Sequence, residues 1–204
     1  MGWTSYRATY YKKNDEVDRK AECDSYFEEG LNRGHFKVLK SVMRGSTYYA
    51  AVKNLVRNAG VDEDGENIFI PVEDGKVWAA VFLTSVNNRE YCNFSYKDMD
   101  ETCLPYYFEC PESILKLLTP TENKNAIEWR KKCRYIAKKK KIFSSLPVGS
   151  KIKFTRAGRE YQCILCPPGY QFKRPFWMDL SGKYYVPRKS IPMDGFEVIT
   201  PEDD

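Results

Sequence analysis

Residues 119–145, TPTENKNAIEWRKKCRYIAKKKKIFSS, hold the strongest local signal in the chain and divide it into two textures. Thr119, Pro120 and Glu122 match a helix cap, a first-turn proline and a capping-box glutamate, so a helix is expected to open here. Ala126, Trp129, Cys133 and Ile136 then recur at three- and four-residue spacing, which sets them on one face of a 3.6-residue helix. That face must pack inward, and the cations between them are expected to point outward. Eight cations and no acid fall between residues 130 and 141.

Upstream of this helix the pattern mixes strands and helices. Residues 3–11 alternate aromatic and polar side chains, Asn14 and Asp15 offer a cap, and Val17, Ala21, Phe27 and Leu31 predict a helix over residues 16–31 that ends near Gly34. Strands are expected at 35–43, 47–53 and 77–86, the last apolar on both faces and therefore central. Residues 58–74 read as a polar loop carrying one short strand at 68–70, and Pro111 opens a short helix through Leu118. Downstream of Ser145 come five short strands, at 151–154, 161–165, 176–178, 184–186 and 196–199, separated by Gly or Pro turns. The reading is α+β: an N-terminal mixed sheet with helices over residues 1–143, then a small SH3-like β-barrel module over residues 146–200.

Composition narrows the function classes. A chain of 204 residues with 42% hydrophobic and 15% aromatic content can bury a core. Its longest apolar run, residues 77–83, is far shorter than the roughly 20 residues a membrane-spanning helix needs. The opening MGWTSY has no secretion signal and places Tyr6 where a myristoylation motif wants Ser or Thr, so a cytoplasmic location without membrane attachment is expected. Seven cysteines at irregular spacing point to reduced thiols rather than a disulfide framework. The net charge of +5 is unevenly spread: the run at 130–141 is cationic, whereas residues 62–66 (DEDGE) and the terminal PEDD are acidic.

Two clusters suit a polyanion. Arg130, Lys131, Arg134, Lys138, Lys139, Lys140 and Lys141 on a helix would neutralise phosphates without sequence choice, with Tyr135 or Phe143 available for base stacking, although a solvated helix surface reads the same way. Residues 170–177, YQFKRPFW, interleave rings with Lys173 and Arg174, as does any half-buried strand. Cys163 and Cys166 have metal-ligand spacing but no second pair, so two core cysteines are expected and no metal or other cofactor is assigned. The single histidine, His35, lacks a nucleophile partner, and no phosphate-cradling glycine loop is present. Glu73, Asp74 and Lys76, with Asp98, Asp100 and Glu101, offer carboxylates and a lysine of the kind a metal-dependent nuclease uses, although a hairpin turn explains the first three better.

Five runs carry a resemblance: MGWTSY at 1–6, DRKAEC at 18–23, GSTYYAAV at 45–52, NFSYKDMDET at 93–102 and QFKRPFW at 171–177. Over nearly its full length the chain resembles a family carried on plasmids and prophages of Gram-positive bacteria, to which no activity is assigned. The resemblance implies a mobile-element habitat and no catalytic residue, and Cys163 and Cys166 stand outside its pattern. Because such elements must survive host nucleases, it implies by analogy a counter-defence (anti-CRISPR-type) inhibitor that docks on nucleic acid or on a guide-RNA-loaded nuclease. The alternatives are a metal-dependent nuclease acting on RNA or DNA and an interaction protein of plasmid replication or transfer. The first reading expects charge reversal at Arg130, Arg134, Lys138 and Lys140 to abolish binding.

Overall fold

The computed structural model describes residues 4–10, 18–30, 33–87, 91–98 and 108–200. It divides into two compact units, Met1–Arg134 and Tyr135–Asp204. The division falls inside a helix, upstream of the boundary at residues 143–146 expected from the sequence.

In the first unit β1 (Thr4–Tyr10), β2 (Phe36–Arg44), β3 (Thr47–Asn54), β6 (Val77–Asn87) and β7 (Tyr91–Asp98) form one sheet in the order β1-β7-β6-β3-β2. The α+β class is as expected, but the sheet is antiparallel at every described ladder rather than mixed. The connections explain this. A two-residue turn at Gly45 and Ser46 joins β2 to β3, and a parallel neighbour would need a crossover of a dozen residues or more. The excursion between β3 and β6 is itself a hairpin of β4 (Val56–Val61) and β5 (Asn67–Pro71), where the sequence suggested a loop with a single short strand. Its turn is closed by Asp62, whose carboxylate accepts from the backbone N–H groups of Asp64 and Glu66.

β3 and, through Phe82, β6 are buried on both faces, as the apolar reading of this strand expected. On one face Tyr48, Val52, Trp78 and Phe82 pack against Cys23 and Phe27. Phe27 stacks on Phe82 at 5.3 Å and meets Trp78 edge-on at 5.7 Å. On the other face Tyr49, Ala51, Ala79 and Val81 pack against Ile114, Leu115, Leu118, Trp129 and Cys133. Ala50 opposes Ala80 and Ala51 opposes Ala79 across the ladder, and these small side chains leave room for the rings brought by the helices.

Two helix starts and one helix end differ from the sequence reading. The first helix, α1 (Arg19–Ser25), is capped by Asp18, whose carboxylate accepts from the N–H groups of Lys20 and Ala21; Asn14 and Asp15 lie outside the described residues. It passes into a π-helical turn, Tyr26–Gly30, which keeps Phe27 facing the sheet. The short helix α2 (Glu112–Leu115) follows Pro111 as expected but stops before Leu118. α3 (Lys124–Ser145) is capped by Asn123, which accepts from the N–H groups of Asn125 and Ala126. Thr119 is not the cap. Its backbone N–H donates to Val77 O and its hydroxyl accepts from Val77 N–H, which ties this segment to the start of β6.

Burial of titratable groups gives the first unit an alkaline limit. Desolvation pushes the Tyr48 and Tyr49 phenols and the Cys110 thiol well above their ordinary values, and the Cys133 thiol up to about 12. These groups ionise in the unfolded chain before they do so in the folded one, beginning near the ordinary thiol value of about 8.5. Stability is therefore fully present below that pH and is lost as pH rises toward 12. Urea unfolding at a series of pH values is expected to show a midpoint that is flat from about pH 7 to 8 and falls steadily above about 9.

The second unit takes α3 from Tyr135 onward and adds β8 (Lys151–Arg156), β9 (Arg159–Cys166), β10 (Phe176–Asp179), β11 (Tyr185–Val186) and β12 (Phe196–Ile199), with a 3-10 turn at Arg188–Ser190. The five expected strands are all present, within a few residues of their expected ends. They form one antiparallel sheet in the order β11-β10-β9-β8-β12, and no ladder closes β11 onto β12 among the described residues. The core is Phe143, Ile152, Phe154, Cys163, Leu165, Trp177, Ile191 and Phe196. The β8–β9 hairpin turns on Ala157 (φ 49°) and Gly158 (φ 74°), a two-residue turn with both φ values positive. Alanine pays about 1 kcal/mol or more for that conformation. Ala157→Gly is expected to raise the unfolding free energy by roughly 0.5–1 kcal/mol, read from the denaturant midpoint at unchanged slope.

Candidate nucleic-acid interface

A groove of about 570 Å³ lies within the second unit. Three segments supply its working side chains: the β9–β10 loop with Phe172, Lys173 and Arg174, β10 and β11 with Phe176 and Tyr185, and the 3-10 turn with Arg188. Three cations and no carboxylate line it.

Local chemistry fixes each of these segments. In the β9–β10 loop Pro167 and Pro168 restrict the backbone, and Gly169 and Phe172 exchange reciprocal N–H to carbonyl bonds of 2.9 and 3.1 Å. That tight turn leaves Tyr170 fully exposed and turns Phe172 back onto Phe176 at 4.3 Å and Tyr185 at 4.9 Å. The β10–β11 turn is held by Asp179, whose carboxylate accepts from the Ser181 hydroxyl and from the N–H groups of Tyr184 and Lys183, bonds that keep its acid form below the usual carboxylate range. Arg188 lies over the Phe143 ring at 5.1 Å and donates from Nη2 to the Ser144 hydroxyl at 3.1 Å. The cation is therefore oriented by the end of α3 rather than loose in solvent.

The structure sorts the cations of the helix by use. Arg130 is 9% exposed and donates from Nη1 to the Thr119 carbonyl at 2.8 Å, so it fastens α3 inside the first unit and is not displayed. Lys131 is exposed, and Arg134 is exposed but paired with Glu112 at 3.0 Å. In the second unit Lys139 is half-buried: its Nζ donates to the Phe196 carbonyl at 3.0 Å and sits 4.9 Å over the Phe196 ring. Lys140 is half-buried, whereas Lys138 and Lys141 are exposed. The expectation that packing drives every cation outward is thus corrected at Arg130 and Lys139. Of the two rings assigned to base stacking, Phe143 is a core residue stacked on Trp177 at 5.2 Å. Tyr135 is exposed, with its hydroxyl 3.4 Å from the Asp194 carbonyl. Lys173 and Arg174, from the second cluster, are exposed at the groove.

Sequence reasoning did not name Arg188. Its signal was available in the basic pair Arg188-Lys189, which follows Tyr184 and Tyr185 after Val186 and Pro187 and sets rings near cations as residues 170–177 do.

The remaining candidates do not converge. Cys163 and Cys166 lie three residues apart on β9, which sends their side chains to opposite faces of the sheet. Cys163 is buried in the core, where desolvation pushes its thiol up to about 11, and Cys166 is half-buried. Among the described residues no three His, Cys, Asp or Glu side chains gather into a group that could hold a metal. His35 packs its ring on Phe69 at 4.4 Å. Glu73 and Asp74 are exposed in the turn before β6. Gly75 follows because its backbone runs against β3: a Cβ there would stand 1.7 Å from the Asn54 carbonyl oxygen. The side chain of Asp98, and Asp100 and Glu101, lie outside the described residues. No described helix is long and apolar enough to cross a membrane.

Comparison with protein families, with curated proteins and with solved structures finds no match.

Proposed function

We propose that the protein is a binding module for nucleic acid or a nucleoprotein, anchored through the groove of its second unit. One observation carries this reading: Lys173, Arg174 and Arg188 stand together with the Phe172, Phe176 and Tyr185 rings in a concavity that no carboxylate lines. A cleft of one sign, walled by apolar groups of low dielectric, concentrates the field and attracts a polyanion. Rings beside the cations supply stacking, which pure charge lacks. Lys138 and Lys141, exposed on α3 of the same unit, add cations of the same sign.

The SH3-like reading of this unit belongs to the same proposal. Four strands in sequence order, a 3-10 turn and a fifth strand returning to the first support it. The mobile-element resemblance directs the search for a partner to a guide-RNA-loaded nuclease of host immunity. The channel of such an enzyme is itself positively charged, so a cationic anchor would seat on the guide RNA or the displaced strand.

Incubating the purified protein with labelled RNA and Mg²⁺, and following both anisotropy and fragment length, tests the reading against the nuclease alternative. A binder raises the anisotropy and leaves the RNA intact. Cleavage that depends on Glu73 and Asp74 would establish the nuclease instead.

A further inference from the structure

We infer that the groove accepts an unpaired base of a single-stranded nucleic acid, with Lys173, Arg174 and Arg188 on the phosphates to either side, and that it discriminates against duplex. This rests on the nucleic-acid reading above and specifies its substrate.

The ring geometry is the first argument. Phe172 lies 4.3 Å from Phe176 and 4.9 Å from Tyr185, and those two lie 6.4 Å from each other. If Phe172 were sandwiched between them, the outer two would stand apart by the sum of the shorter distances. The three rings instead form a triangle, a platform whose faces are not all consumed by one another. Tyr185 at its rim is 47% exposed. A base has two π-faces and can extend such a platform, but only when it is free of its own helical stack. In duplex the bases are already stacked and paired, so they cannot reach rings set inside a concavity.

Size and charge agree. A volume of about 570 Å³ lies within the range of small-ligand pockets, roughly 300–1,000 Å³. A cleft of that size admits a nucleotide-sized unit, whereas a double helix lies across a surface. The cations come from two separate segments, Lys173 and Arg174 from the β9–β10 loop and Arg188 from the 3-10 turn, so more than one phosphate can be met. The reciprocal bonds of Gly169 and Phe172, and the seat of Arg188 on Phe143 and Ser144, order both segments before binding, which lowers the entropy lost on association.

The lining also limits base choice. It offers no carboxylate to accept from an exocyclic amine, and its uncharged hydrogen-bonding side chains are few: Ser144, Gln171, the Tyr185 hydroxyl and the indole of Trp177, which is itself buried. Stacking with little edge readout makes the site tolerant of sequence.

The test uses the full chain with four fluorescein-labelled probes at one salt concentration: oligo(rU), oligo(rA), oligo(dT) of the same length, and an RNA duplex of that length. The single strands are expected to bind about tenfold or more tightly than the duplex, with rU and rA within a few-fold of each other. The rU and dT arms tell whether RNA or DNA is the preferred source of the unpaired base. Tyr185→Leu, which keeps apolar bulk at an exposed position, should weaken single-strand binding about tenfold and leave duplex binding unchanged, and Phe172→Leu repeats the test on a second ring. Equal binding of strand and duplex, unmoved by either ring variant but weakened by Lys173→Ala, would overturn the unpaired-base inference and leave the electrostatic reading standing. No binding of any probe would overturn both.

Discussion

The double variant Lys173→Glu/Arg174→Glu is expected to lose affinity for single-stranded RNA by a factor on the order of a hundred at physiological salt. Each cation that neutralises a phosphate releases a condensed counterion, and reversing its sign replaces that gain with repulsion. Both side chains are exposed and have no part in the core, so the unfolding free energy should stay within about 0.5 kcal/mol of the parent. The loss would then report on binding alone. Circular dichroism melts and anisotropy titrations on one preparation check the two halves of this expectation. Charge reversal at Arg130 would not give so clear a result. Its guanidinium is committed to the Thr119 carbonyl inside the first unit, and a carboxylate there would face an oxygen without a donor.

Trp129→Ala should produce the largest stability change. Trp129 is fully buried between the sheet and the helices, in the cluster with Tyr49, Val81, Ile114 and Cys133. Truncating a buried tryptophan removes its transfer free energy and leaves a cavity, at a cost of about 3–5 kcal/mol. Against a typical stability of 5–15 kcal/mol that is a large fraction, and the first unit is expected to unfold at much lower urea. Lys131→Ala, two residues along the same helix but exposed, should change the unfolding free energy by no more than about 0.5 kcal/mol. The contrast follows from which face of α3 each residue occupies.

Periodicity made much of the architecture legible. The apolar stripe of Ala126, Trp129, Cys133 and Ile136 faces inward, and the apolar run at residues 77–82, which has side chains for both faces of a sheet, lies on the central strand β6. The strands of the second unit were marked by their turns. What the sequence hid depends on partners far away in the chain. Thr119 looked like a helix cap because local pattern favours it, yet its hydrogen bonds go to Val77, 42 residues earlier, and Asn123 takes the cap. Arg130 and Lys139 looked like displayed cations because nothing local marks the Thr119 and Phe196 carbonyls as their acceptors.

The candidate site divides the same way. Residues 170–177 were noticed for their mixture of rings and cations, but a half-buried strand has the same composition. The strand begins only at Phe176, and Phe172, Lys173 and Arg174 precede it on a loop closed by Gly169. Arg188 joins them through the return of the chain after β11, a tertiary fact that no window of sequence contains. The separation of Cys163 and Cys166 was, by contrast, readable in advance: on a strand a spacing of three sends side chains to opposite faces.

The claim that a polyanion sits in the groove is tested most directly by the salt dependence of oligo(rU) binding. With Lys173, Arg174 and Arg188 each neutralising one phosphate, log K is predicted to fall against log salt with a slope of about −2, flattening toward zero in Lys173→Glu/Arg174→Glu. A slope near zero in the unaltered protein, or a steep slope that the double variant leaves unchanged, would contradict the account.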